Sequence, residues 1–149
     1  IDFRALVEEV LVAMKLQFEK YRAVVSLSIS GTDFSLRGDR LHLVSVLYNL
    51  LENALKYSPL PPHITLDLSH TEHHLTLKVR DEGQGIPAEY LGRIFEKFFR
   101  VPTGDVHNVK GHGLGLNYVA GVVRLHHGSI AVESKEGIGT EFTVMLPVK

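Results

Sequence analysis

"NLLENALKYS" (residues 49–58) is apolar enough for a buried helix, yet it carries Asn49, Asn53 and Lys56 at spacings of four and three. Asparagine is an indifferent helix former, because its side chain competes for backbone hydrogen bonds. At 100° per residue, Leu41, Val44, Tyr48, Leu51 and Leu55 make one apolar stripe. Asn49, Asn53 and Lys56 make another, about 140° around the helix. The flanking Leu43, Val46, Leu47 and Leu50 leave little of the circumference polar. The asparagine stripe is therefore expected to face something polar but confined. A solvated helix edge ending in lysine accounts for it equally well. The chemistry available is definite: amide carbonyls are hard oxygen ligands suited to Mg²⁺, and a lysine one turn on can neutralise a phosphate.

The chain has 149 residues, the size of one domain with one core, and is 44% hydrophobic and 22% charged. A net charge of −1 without a Lys/Arg block argues against nonspecific binding to nucleic acid or anionic lipid. With no cysteine there is neither a disulfide framework nor a thiolate metal site. No apolar run reaches the roughly 18 residues of a membrane span. The opening "IDFRALVEEV" has no initiator Met and no signal-peptide pattern, so a fragment of a longer protein is expected.

Leu6, Val7, Val10, Leu11, Met14 and Phe18 recur at helical spacing, predicting one helix over 3–21. Residues 24–30, "VVSLSIS", alternate as a strand. The helix holding the asparagines begins near Asp39, a good N-cap, and stops at Ser58-Pro59. Ile64/Leu66/Leu68 and Leu75/Leu77/Val79 predict a hairpin, and Pro87 opens short helical turns. Residues 101–112 read as a loop, "LGLNYVAGVVRLHH" as a helix, and Ile130/Val132 and Phe142/Val144/Leu146 as two closing strands. All five strands alternate, as in a sheet buried on one face only. The expected fold is a two-layer α/β sandwich, a mixed sheet of about five strands covered on one face by three helices.

"DEGQG" (81–85) puts Asp81 where the alternation ends, beside glycines that permit turns and close approach. A carboxylate there could accept a hydrogen bond from an amino group such as that of adenine; a plain glycine turn is the simpler reading of that stretch alone. "GHGLGL" (111–116) places three glycines before a helix, where backbone N–H groups can hold phosphate. It follows a loop rather than a strand, so it is not a Rossmann fingerprint, and a Walker A sequence is absent. The preceding loop reads as a cover over phosphates rather than a fixed P-loop.

In this order, "NLLENALKYS", "DEGQGI", "IFEKFFR", "GHGLGL" and "EGIGTEF" resemble the N box, first glycine box, F box and second and third glycine boxes of sensor histidine kinases. These belong to the GHKL ATP-binding superfamily, of Bergerat fold. The resemblance runs from about residue 39 to 147. It implies that Asn53 holds Mg²⁺, that Asn49 supports metal and phosphates, and that Lys56 reaches the phosphates. Tyr57 would line the adenine pocket, Asp81 would bond the adenine amino group, and Gly83, Gly85 and Ile86 would shape that pocket. Arg100 would stand near the γ-phosphate; Gly111, Gly113, Leu114, Gly115 and Leu116 would form the lid and its phosphate-binding backbone. Thr140 would lie under the adenine. On this resemblance the cofactors are ATP and Mg²⁺, and Asn49, Lys56 and Arg100 are the candidate catalytic residues.

DNA gyrase, the mismatch-repair ATPases and the heat-shock chaperone ATPases share the superfamily. They hold a water-activating Glu four residues before the metal asparagine, where this chain has Asn49. Glu52 points about 100° away from Asn53 on an ideal helix. A kinase is favoured over a GHKL-type ATPase or a catalytically silent nucleotide-sensing module. None of the nine histidines is followed by an acidic residue and Arg-Thr-Pro, as the family's acceptor would be. The phosphoacceptor is thus expected on an upstream helical dimerisation domain of the same protein, with onward relay to a response regulator receiver domain. The resemblance further implies a cytoplasmic domain, monomeric alone, from a homodimeric parent. "HTEHH" (70–74) reads as an exposed hairpin tip rather than a metal site, and His126-His127 as a helix end suited to imidazolium. Among Phe95, Phe98 and Phe99, core is expected for at least two.

Overall fold

Burial along every strand follows the period of two in its sequence, so one sheet face is apolar and the other wet. The computed structural model describes residues 1–58, 61–97, 99 and 115–148. Strands β1 (Val24–Ser30), β2 (His63–His70), β3 (His74–Asp81), β4 (Ser129–Lys135) and β5 (Gly139–Pro147) form one sheet in the order β1-β2-β3-β5-β4. The first pair is parallel and the others antiparallel. The parallel pair requires a crossover, which is α3 (Arg40–Lys56). Helices α1 (Phe3–Ala13), α2 (Lys15–Tyr21), α3 and α4 (Gly115–Leu125) supply the second layer, so the expected mixed two-layer sandwich is what forms.

The single helix expected over 3–21 is two. Met14, at φ −90° and ψ 4°, ends α1 and starts α2. Its N–H still reaches the oxygen of Val10 at 2.9 Å, and its own oxygen accepts from Phe18 at 3.0 Å. The break is a bend in a continuous hydrogen-bonded run, and it buries both Met14 and Phe18.

Asp39 caps α3, accepting from the N–H of His42 at 3.1 Å. The buried face of α3 is Leu43, Val46, Leu47, Leu50, Leu51, Ala54 and Leu55. Leu41 is 73% exposed, and Val44 and Tyr48 are only half-buried. The stripe expected through Leu41, Val44 and Tyr48 is therefore not the centre of the interface. A helix apolar around most of its surface offers two faces, and packing between the sheet, α1 and α4 selects one. The asparagine stripe still lies about 140° from the centre of the face chosen.

Helices α3 and α4 are tied through the first turn of α3. His42 Nδ1 lies 2.7 Å from the Tyr118 hydroxyl. His126 accepts the Asp39 N–H on Nε2 at 3.0 Å, while its Nδ1 faces the oxygen of Val122 at 2.8 Å. With Nε2 accepting from Asp39, the ring joins the start of α3 to the last turn of α4. His126→Ala is expected to cost about 1 kcal/mol, because two side-chain hydrogen bonds, one exposed and one part-buried, are lost. Urea unfolding at neutral pH checks this.

His70 departs from expectation. It is half-buried, stacked edge-on against Phe34 at 5.0 Å, and its Nε2 accepts from Thr32 and Asp33 at 3.2 and 3.4 Å. His73 and His74 are exposed as expected, and no group of three metal-ligating side chains occurs among the described residues. Phe95 and Phe99 pack against the core, while Phe98 is outside the described residues. No helix among the described residues is long and apolar enough to cross a membrane.

Candidate active site

The core face of the sheet is built from rows running across the strands. Leu68, Leu77, Val144 and Ile130 make one row, and Leu66, Val79, Phe142 and Val132 the next. The last row is Ile64, Asp81, Thr140 and Ser134. Three of its four members are polar, at positions whose period places them inward. Asp81 and Thr140 are each only 7% exposed. Apolar packing therefore stops one row short of the sheet's end, leaving a polar floor.

Burial pushes the Asp81 carboxyl up to about 6, against hydrogen bonds from the backbone of Gly83 and Thr140 that pull it down. The Gly83 N–H donates to Asp81 Oδ1 at 2.8 Å. A side chain at Gly83 would press on that oxygen and on the backbone oxygen of Tyr57, 2.6 and 2.5 Å from the added carbon. Tyr57, half-buried just past the end of α3, accepts the Gln84 N–H at 3.1 Å. The end of α3 thus clamps the "DEGQG" turn from one side.

The β4–β5 turn clamps it from the other. Gly137 donates to the oxygen of Gln84 at 2.8 Å, and Ile86 donates to Ser134 Oγ at 2.7 Å. Gly85, at φ +74°, lies so near Lys135 that a Cβ would sit on its backbone oxygen. Gly139, at φ +153°, stands in the same relation to the backbone oxygen of Asp81. Neither backbone can give, so Gly139→Ala is expected to cost about 3 kcal/mol or more, through strain and overpacking together. A drop of that size in unfolding free energy by denaturant titration is the check.

Asn49 is half-buried on α3, and its Nδ2 donates to the oxygen of Ser45 at 2.7 Å. That bond leaves Oδ1 as an acceptor aimed at Gly115, where an added Cβ would lie 2.8 Å away. An N-box asparagine and the last glycine of "GHGLGL" therefore meet, although 66 positions separate them in the chain. Asn53 is half-buried one turn on, and its side chain has no hydrogen-bond partner among the described residues. Lys56 is exposed at the end of α3, with no ion pair among the described residues. Unspent amide oxygens beside an unpaired ammonium suit a hard cation accompanied by phosphate. Leu116 is half-buried in the first turn of α4. Arg100, Gly111, Gly113, Leu114 and the 101–112 loop lie outside the described residues.

Sequence reasoning missed Ser134. Continuing the alternation Ile130, Val132 by two puts it on the core face, where a serine is out of keeping; that was the available signal.

With this floor and clamp, the chain belongs to the histidine kinase-, DNA gyrase B- and HSP90-like ATPase family, whose model matches residues 38–149. Within it, the chain is a catalytic, ATP-binding domain of the sensor histidine kinase kind. It is 34% identical over 150 residues to the sensor protein RprX of Bacteroides fragilis, covering 99% of this chain and 29% of that protein. The catalytic domain of the histidine kinase ThkA superposes with a TM-score of 0.87 at 26% identity, covering 99% of this chain and 95% of that one. Full-length ShkA, solved in complex with AMPPNP, superposes with a TM-score of 0.83 at 26% identity, covering 99% of this chain and 30% of that one. The chain thus spans less than a third of RprX.

Proposed function

We propose that this domain binds Mg·ATP and transfers the γ-phosphate to a histidine on a separate helical dimerisation domain of the same protein, for relay to a response regulator receiver domain. The observation carrying the proposal is the junction of a buried acceptor floor, Asp81 and Thr140, with a helix whose amide oxygens and lysine are unspent among the described residues. The bound AMPPNP of ShkA supports it. Asp81 and Thr140 would receive the adenine edge, with Tyr57, Gly83, Gly85 and Ile86 enclosing the ring. Asn53 would ligate the metal, Asn49 would offer Oδ1 beside it, and Lys56 would reach the phosphates. Arg100 and the glycines from Gly111 to Gly115, with Leu114 and Leu116, would complete the phosphate side. Mg²⁺ would supply charge neutralisation of the phosphate oxygens.

Phosphoryl transfer asks the protein mainly for positioning and electrostatics, which this set provides without a general base. Hydrolysis would need a carboxylate where Asn49 stands. Asn49 instead commits its amide to Ser45 and has no proton-accepting base to offer. Mixing the domain with the parent's helical domain and labelled Mg·ATP should give acid-labile phosphohistidine on that partner, and none on this chain alone. Steady phosphate release without acceptor would favour the ATPase reading; binding without transfer to the cognate acceptor would favour a sensing module.

A further inference from the structure

The Ser134 hydroxyl has three neighbours: the Ile86 N–H at 2.7 Å, the Gly139 carbonyl oxygen at 3.0 Å and Thr140 Oγ1 at 2.8 Å. A hydroxyl has one hydrogen and two lone pairs. The carbonyl can only accept, so the Ser134 hydrogen goes to Gly139. The oxygen–oxygen contact with Thr140 then takes its hydrogen from Thr140. Both Ser134 lone pairs are used, by Ile86 and by Thr140, and this is the one assignment that satisfies all three contacts. It has a consequence on the other side of Thr140. With its hydrogen turned toward Ser134, Thr140 offers only lone pairs to the cavity. Its cross-strand neighbour Asp81, when ionised, is also an acceptor only.

We propose that Ser134 is a positioning residue for base selection: by holding the Thr140 hydrogen it leaves Asp81 and Thr140 as adjacent acceptors, an edge that takes an exocyclic amino group and rejects a 6-oxo group. The inference rests on the nucleotide reading above and goes beyond it in assigning selectivity to a residue that acts through Thr140. Without the Ser134 hydroxyl, Thr140 is free to rotate and donate, and a carbonyl-bearing base is no longer opposed by two acceptors.

The test is calorimetric binding of ATP and of inosine triphosphate, each with Mg²⁺, to the wild-type domain, Ser134→Ala and Ser134→Thr. The wild type is expected to prefer ATP. Ser134→Ala should narrow that preference about fivefold, the scale of one neutral hydrogen bond, and Ser134→Thr, which keeps the hydroxyl, should restore it. A merely structural serine would weaken both nucleotides alike, and an unchanged ratio in folded Ser134→Ala overturns the proposal. Thr140→Val gives an independent arm should Ser134→Ala fail to fold. It removes one of the two acceptors and must also narrow the ratio, and an unchanged ratio there also overturns the proposal. A wild type that binds neither nucleotide refutes the proposed function, and this inference with it. A wild type that prefers ATP, with the ratio unmoved in the variants, refutes the inference alone.

Discussion

Asp81→Asn is expected to loosen ATP binding about a hundredfold at pH 7.5 while making the nucleotide-free protein more stable. The affinity loss follows from donor and acceptor counting. Oδ1 must stay an acceptor for the Gly83 N–H, so the new amide nitrogen replaces the oxygen left for the base. A donor then faces the donor it should receive, in a site where unpaired polar groups are costly. The stability gain follows from the raised carboxyl, about 6 against an ordinary 3.8. Below pH 4 the group is protonated in folded and unfolded chains alike, and burial imposes no ionic penalty. Between about pH 4 and 6 the folded chain holds the extra proton, so stability falls as pH rises; above 6 the penalty is complete. Asparagine removes it, with a gain of about 1–2 kcal/mol expected at pH 7.5 and much less at pH 4. Urea unfolding of both proteins at the two pH values is the measurement. An equal difference at both would show that Asp81 does not carry this penalty.

Asn53→Ala is expected to lower Mg²⁺-dependent transfer to the acceptor domain by about a hundredfold or more, with the fold intact. The side chain is half-buried and has no partner among the described residues, so its removal breaks no bond to any of them. Alanine is also the better helix former. What goes is an oxygen ligand of a cation that tolerates little distortion of its shell. The readout is the rate of phosphohistidine formation across a Mg²⁺ titration, beside the thermal melt. A wild-type Mg²⁺ dependence in the variant would remove Asn53 from the metal site.

Much of the architecture was legible because it depends on local periodicity. The alternation of Leu75, Leu77 and Val79 needs only a wet face and a dry one, and β3 occupies those residues. Asp39 caps α3 with its own side chain, an interaction three residues long. The break at Met14 was not legible, since Phe3 to Phe18 keep a helical period across it and only the packing of Phe18 asks for the bend. The face that α3 buries was ambiguous for a related reason: a helix with leucines around most of its circumference does not say which side meets the sheet.

The candidate site divides along the same line. The chain alone determined which residue types occur at which spacings: amides and a lysine on one stripe, and an aspartate and glycines at a strand end. These are properties of a few consecutive turns. Strand register, fixed only when the sheet assembles, decided that Asp81, Thr140 and Ser134 share one row, though more than fifty positions separate the first from the other two. The same assembly brought Asn49 against Gly115 and set the direction of the Thr140 hydrogen. A hydrogen bond depends on distances of tenths of an ångström between atoms that only the folded chain makes neighbours.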